Sequence, residues 1–187
     1  HSENYGIKIS KSSVDFDSII SRSRGVADGM SKGVNFLMKK NKIDILNGFG
    51  KIISKNEVEV TTEENKKEIH KSDNIIIATG GRSRELPNLK IDNKKVIEYR
   101  KAMTLEKQPK KMVVVGSGAI GSEFAYFYNS IGTEVILVEY LPNILPLEDI
   151  DVSKQLEKSF KKAGVNIMTN TEVPVSYTHL RAHETGW

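Results

Sequence analysis

Cysteine is missing from all 187 residues, which excludes disulfide frameworks, thiolate metal sites and thiol nucleophiles from this chain. No apolar run approaches the roughly 20 residues that a membrane-spanning helix needs. No basic block alternates with aromatics. The 28 Lys and Arg are interleaved with 24 Asp and Glu, so nucleic-acid binding is not expected despite a net charge of +4. A signal-peptide pattern is also lacking, and the chain opens on His1 rather than Met. From these absences a cytoplasmic protein is expected, one that has lost an N-terminal part. The remaining composition, 38% hydrophobic and 28% charged, is ordinary for a globular protein. The length suits one full domain, or one and a fragment of another.

What is present centres on Met112-Val-Val-Val-Gly-Ser-Gly-Ala-Ile-Gly121 and its continuation to Glu139. The apolar run ending at Val115 predicts a short buried strand, Glu123 to Ser130 has the apolar density of a helix, and Thr133 to Val138 predicts a second strand. Gly116, Gly118 and Gly121 have G-x-G-x-x-G spacing. In a dinucleotide site the first glycine permits the tight turn, the second lets the backbone approach a pyrophosphate, and the third allows close helix–strand packing. A helix starting near Ala119 aims its free N–H groups and positive dipole end at the phosphates. Glu139 follows Gly116 by 23 residues, where a carboxylate accepts from both adenosine ribose hydroxyls. It also repels a 2′-phosphate, and Tyr140 and Leu141 offer no compensating cation. NAD is therefore expected over NADP. A chance glycine turn and a methyltransferase-like site are the competing readings of this stretch.

Before it, a helix is expected from an N-cap near Ser13, with Ile19, Val26, Met30, Val34, Leu37 and Met38 forming one apolar stripe. Gly25, Gly29 and Gly33 share a face of that helix, and each costs about 1 kcal/mol of propensity relative to Ala. Close backbone packing or room for a cofactor would account for them. Ile43 to Leu46 predicts a strand. Ile52-Ile53 and Val58 to Val60 predict strands of a small antiparallel sheet, with a turn at Glu63 to Asn65. Asn74 to Ala78 predicts a buried strand stopping at Thr79-Gly80-Gly81, which is either a ligand approach or a plain glycine turn. Pro87 to Lys110 reads as a connection between domains.

Four stretches, in order, carry a specific motif set: Asn47-Gly-Phe-Gly-Lys-Ile52, Ile75-Ile-Ile-Ala-Thr-Gly-Gly81, Val113-Val-Val-Gly-Ser-Gly-Ala-Ile-Gly-Ser-Glu123 and Val138-Glu-Tyr-Leu-Pro-Asn-Ile-Leu-Pro146. Together, from about Tyr5 to Val173, the chain resembles the dihydrolipoamide dehydrogenases, flavoprotein disulfide reductases of 2-oxoacid dehydrogenase complexes. The resemblance implies an α/β fold, a partial FAD-binding domain followed by the first half of a Rossmann-type NAD-binding domain. Residues 1–104 would be the C-terminal part of the first FAD-binding segment with its small antiparallel sheet, and 105–173 the N-terminal half of the NAD-binding domain.

By the same resemblance Gly50 would lie against the adenine side of FAD, and Thr79, Gly80 and Gly81 would line the flavin-nucleotide site. Gly116, Ser117, Gly118, Ala119, Ile120, Gly121, Ser122 and Glu123 would hold NAD, with Glu123 toward the nicotinamide. Glu139 would take the ribose, and Val173 would lie near the adenine. Relatives that use NADPH, such as glutathione reductase, usually carry Ala at the position of Gly121 and basic residues near that of Glu139. The implied parent is a homodimer that oxidises dihydrolipoamide on a lipoyl domain and reduces NAD, passing electrons from thiols to disulfide, flavin and nicotinamide. The family's first glycine motif and its C-x-x-x-x-C disulfide would precede His1, and its His–Glu pair and dimerisation domain would follow Trp187. A middle piece without catalytic residues of its own is expected, inert but for NAD binding. Mercuric reductase-like and NADH oxidase-like parents share these motifs.

Residues 174–187 break the pattern. His179, His183 and Glu184 have helical metal-ligand spacing, but a third ligand and supporting shell are lacking. Val175-Ser-Tyr-Thr-His-Leu-Arg-Ala-His-Glu-Thr185 instead resembles the translation of a transposon-type sequencing adapter, so a non-native tail is expected there.

Overall fold

The computed structural model describes residues 11–83, 86 and 89–173; Tyr5 to Ser10, a short segment of alternating sequence, and the tail with His179 and His183 lie outside them. The chain is α/β. It divides into two compact units, one of Arg22–Arg82 and one of the described parts of His1–Ser21 and Ser83–Trp187.

The first helix, α1, runs Phe16–Lys40. Its cap is Asp15 rather than the expected Ser13. The Ser18 N–H and hydroxyl donate to the Asp15 carboxylate at 3.0 and 2.7 Å. These donors, the backbone one foremost, hold the Asp15 carboxyl below its ordinary value. A carboxylate one residue before the first turn satisfies an orphan N–H and complements the helix dipole, which Ser13, two residues earlier, is too far out to do. Much of the apolar stripe of α1 is exposed among the described residues: Met30 stands 70% exposed and Val26, Val34 and Leu37 about half, while Ile19 and Met38 are half-buried. No described atom comes within 4 Å of where a Cβ would stand on Gly25, Gly29 or Gly33, so close backbone packing does not account for them here.

In the Arg22–Arg82 unit, β1 (Phe49–Ser54), β2 (Glu57–Thr61) and β3 (Lys67–Lys71) form an antiparallel meander. The two strands expected at Ile52-Ile53 and Val58 to Val60 and the turn near Asn65 are present. The third strand, β3, is additional to the expectation. Two expected strands are absent. Ile43 to Leu46 and Asn74 to Ala78 lie outside any strand, and Ile76 and Ile77 are 90% and 71% exposed rather than buried. Isoleucine runs carry β propensity, but a strand exists only through a ladder of N–H and C=O partners. No described residue supplies that ladder.

The other unit contains α2 (Tyr99–Ala102), β4 (Lys111–Val115), α3 (Ala119–Ser130), β5 (Glu134–Val138), α4 (Ile150–Ala163) and β6 (Asn166–Met168). The sheet β4-β5-β6 is parallel, with Val115 opposite Val138 and Val138 opposite Met168, so the C-terminal ends of its strands are level. Parallel neighbours require crossovers, which α3 and α4 provide. Ser122, Ala125 and Tyr128, each three apart, form the buried face of α3. Ala125 and Tyr128 pack with Val135 and Leu137 of β5, Phe160 of α4 and Ile144 in one core. The left-handed Gly164 (φ 94°) ends α4, where the Val165 N–H reaches back to the Phe160 carbonyl at 3.0 Å.

Tyr128 is fully buried, and its O–H donates to the Ala102 carbonyl at 2.6 Å; burial pushes the phenol up to about 12. Tyr128→Phe strands that buried carbonyl without a donor. A loss of about 1–2 kcal/mol is expected in a denaturant melt of the full-length protein, and an unchanged midpoint would mean that water replaces the hydroxyl.

Candidate functional site

The site forms where β4 ends. Gly116 adopts φ 93°, a left-handed conformation that side chains disfavour, and its N–H donates to the Val138 carbonyl at 2.8 Å. The chain then turns into α3 through Gly118, and no side chain caps the helix start. An α-helix leaves its first N–H groups without intrahelical partners, so this end of α3 is suited to an anion. A Cβ on Gly121 would stand 2.0 Å from the Gly116 carbonyl oxygen. Helix and turn are therefore in contact at this point, which fits the packing role expected of the third glycine.

Glu139 lies one residue beyond β5 and is 7% exposed. Its Oε2 accepts from the Ser117 N–H at 2.8 Å and the Ser117 hydroxyl at 2.7 Å, while Oε1 accepts from the Leu141 N–H at 2.9 Å. Burial pushes this carboxyl up, but the donors from Leu141, Ser117 and Tyr140 outweigh it, and the net shift is downward. Glu139 is an anion throughout the neutral range. The exposed residues that follow, Tyr140 and Leu141, carry no charge.

Around this pair the other expected residues take distinct places. Ser122 is buried and its hydroxyl donates to the Ser117 carbonyl at 3.0 Å. Ala119, Ile120 and Glu123 are exposed on the first turns of α3. Val173 is half-buried, two residues after the Thr171 N–H donates to the Glu139 carbonyl at 2.9 Å. Gly50, Thr79, Gly80 and Gly81 belong to the Arg22–Arg82 unit. Gly50 sits in β1 opposite Val60, and the other three are exposed outside any strand. The residue that sequence reasoning undervalues is Ser117. It is wholly buried and bonds the carboxylate 22 residues away, and no local pattern signals that pairing.

The space in front of the turn can be tested for fit. No described atom lies within 4 Å of where a Cβ would stand on Gly116 or Gly118, so the backbone there is open to a phosphate group. The same holds at Gly80 and Gly81, so no side chain stands between a nucleotide and the backbone there. Among the described residues no group of three His, Cys, Asp or Glu side chains is placed to hold a metal ion, and no helix is long and apolar enough to cross a membrane.

A parallel sheet whose first crossover starts at a glycine turn defines the class as α/β with a Rossmann-type βαβ unit. The pyridine nucleotide-disulphide oxidoreductase family model matches residues 3–179. The chain belongs to this family. It is 44% identical over 171 residues to dihydrolipoyl dehydrogenase of Zymomonas mobilis, an overlap covering 91% of this chain and 37% of that protein. It is 43% identical to dihydrolipoyl dehydrogenase of Mycobacterium tuberculosis, covering 85% of this chain and 34% of the relative. Among solved structures, LpdA of M. tuberculosis superposes with a TM-score of 0.80 at 26% identity, over 89% of this chain and 38% of that one. RclA of Escherichia coli, a flavoprotein disulfide reductase, gives 0.74 at 25% identity, over 87% of this chain and 37% of its own. The chain thus spans little more than a third of the length of these relatives.

Proposed function

We propose that this chain is a segment of a dihydrolipoyl dehydrogenase, an FAD-dependent enzyme that oxidises protein-bound dihydrolipoamide and reduces NAD. The observation that carries the reading is the buried, ionised Glu139 bonded to a glycine turn with open space beside Gly116 and Gly118. In this reading Gly116, Gly118 and the start of α3 take the pyrophosphate. Glu139 takes the adenosine ribose and repels a 2′-phosphate, Glu123 faces the nicotinamide end, and Val173 lies by the adenine. Gly50, Thr79, Gly80 and Gly81 take part of FAD. When bound, the two cofactors supply the hydride and electron chemistry, and this chain's residues bind and orient them.

The proposal assigns 1–104 to the FAD-binding segment, 105–173 to the NAD-binding domain and 174–187 to a tail without function. It includes a homodimer, a cytoplasmic location and the lipoyl domain of a 2-oxoacid dehydrogenase complex as the source of electrons. A second reading, another flavoprotein disulfide reductase, is favoured by the likeness to RclA.

The full-length protein is expected to reduce NAD with dihydrolipoamide, and the 187-residue chain, which has no cysteine, to show no such turnover. A spectrophotometric NADH assay on both checks this. Turnover by the short chain, or a full-length protein active only with NADP, would sink the proposal.

A further inference from the structure

Ser117 is wholly buried, and each of its polar atoms has a partner. Its N–H and hydroxyl both donate to Glu139 Oε2. Its carbonyl accepts from the Ser122 hydroxyl and from the Leu145 N–H, each at 3.0 Å. A carboxylate has about four acceptor positions. Ser117 occupies both on one oxygen of Glu139, and the Leu141 N–H takes one on the other. Turn and carboxylate are therefore one hydrogen-bonded body.

We infer that Ser117 is a positioning residue for the dinucleotide: by holding Oε2, its hydroxyl fixes the orientation of Glu139 and leaves Oε1 as the oxygen that receives the adenosine ribose. This deepens the proposed function and rests on it. Such preorganisation removes an ordering cost that binding would otherwise bear. A Ser117 hydroxyl that merely filled space would have no preference among parts of the cofactor. One that acts through Glu139 affects only ligands that have an adenosine ribose.

The test uses the full-length, FAD-loaded enzyme and compares NADH with reduced nicotinamide mononucleotide, which lacks the adenosine half. Ser117→Ala is expected to raise KM for NADH about tenfold while kcat stays within about twofold, and to raise KM for the mononucleotide far less. In a double-mutant cycle S117A should add almost nothing on an E139A background. Equal losses for both ligands, or full additivity with E139A, would overturn the inference while leaving the NAD site intact. Failure of the wild-type enzyme to use NADH at all would overturn the proposed function and this inference together. Should S117A not fold, S117T and S117V settle the question, since they match in shape and differ by the hydroxyl. The Thr variant must then show the lower KM for NADH, and equal values would overturn the inference.

Discussion

Gly121→Val is expected to abolish detectable NADH binding by the full-length enzyme and to lower its melting temperature by several degrees. The first atom of any side chain at this position would stand 2.0 Å from the Gly116 carbonyl oxygen and 3.1 Å from the Gly116 carbonyl carbon. Neither is the movable end of a side chain. Both belong to the backbone of the turn, and that turn is tied to the sheet through the Gly116 N–H and the Val138 carbonyl. Relief requires α3 to part from β4 by an ångström or more. That would also pull apart a helix face on which Ala125 and Tyr128 are fully buried. Overpacking of this kind costs typically about 1–3 kcal/mol before the β-branched side chain's clashes within the helix are added. The turn's backbone would shift by more than the tolerance of a phosphate hydrogen bond. Gly121→Ala should show the same defect in milder form. Isothermal titration with NADH and a thermal melt on both variants are the measurements, and wild-type affinity in G121V would show that the contact between turn and helix is not what shapes the site.

Glu139→Gln is expected to weaken NADH binding about tenfold and to cost about 2 kcal/mol of stability at pH 7. A glutamine amide has one acceptor oxygen and an NH2 group that only donates. At least three donors of the chain converge on the present carboxylate, so one of them would meet another donor in a buried place. The pH dependence identifies the cause. The donors hold the Glu139 carboxyl below its ordinary value near 4.5, so on acidification the unfolded chain takes up the proton first. The stability contributed by ionised Glu139 is thus complete above about pH 4.5 and is lost as pH falls through the lower folded value. The gap in stability between wild type and E139Q should stay constant from pH 8 to 5 and narrow only below that window. A gap that widens as pH falls from 7 to 6 would mean that burial, which raises the folded value, and not the donors, governs this carboxylate.

Much of the site was legible because its signals are local. Valines at Val113 to Val115, glycines at fixed offsets and an acid after a second apolar run need only neighbouring residues to be interpreted. The observed β4, α3 and β5 begin and end within a residue or so of what the pattern predicts. The cap of α1 was less legible, since Ser13 and Asp15 both suit the role. What decides is which of them stands one residue before the first helical turn. The isoleucine runs at Ile43 to Leu46 and Asn74 to Ala78 misled for a different reason. Propensity states how well a residue fits a pleated sheet, but not whether a neighbouring strand is there.

By itself the sequence determined the βαβ unit, its glycine turn, the preference for an acid over a cation beside it, and the absence of thiol chemistry from this chain. Tertiary structure alone decided that Glu139 points back at Ser117 and that a helix glycine touches the turn's carbonyl. It also decided which apolar runs gain neighbours. These depend on parallel register, which sets Val115 level with Val138 and so brings the residues after each strand within hydrogen-bond reach. Partners 22 residues apart meet only when the sheet between them has formed, because a hydrogen bond depends on position in space and the sequence records only position along the chain.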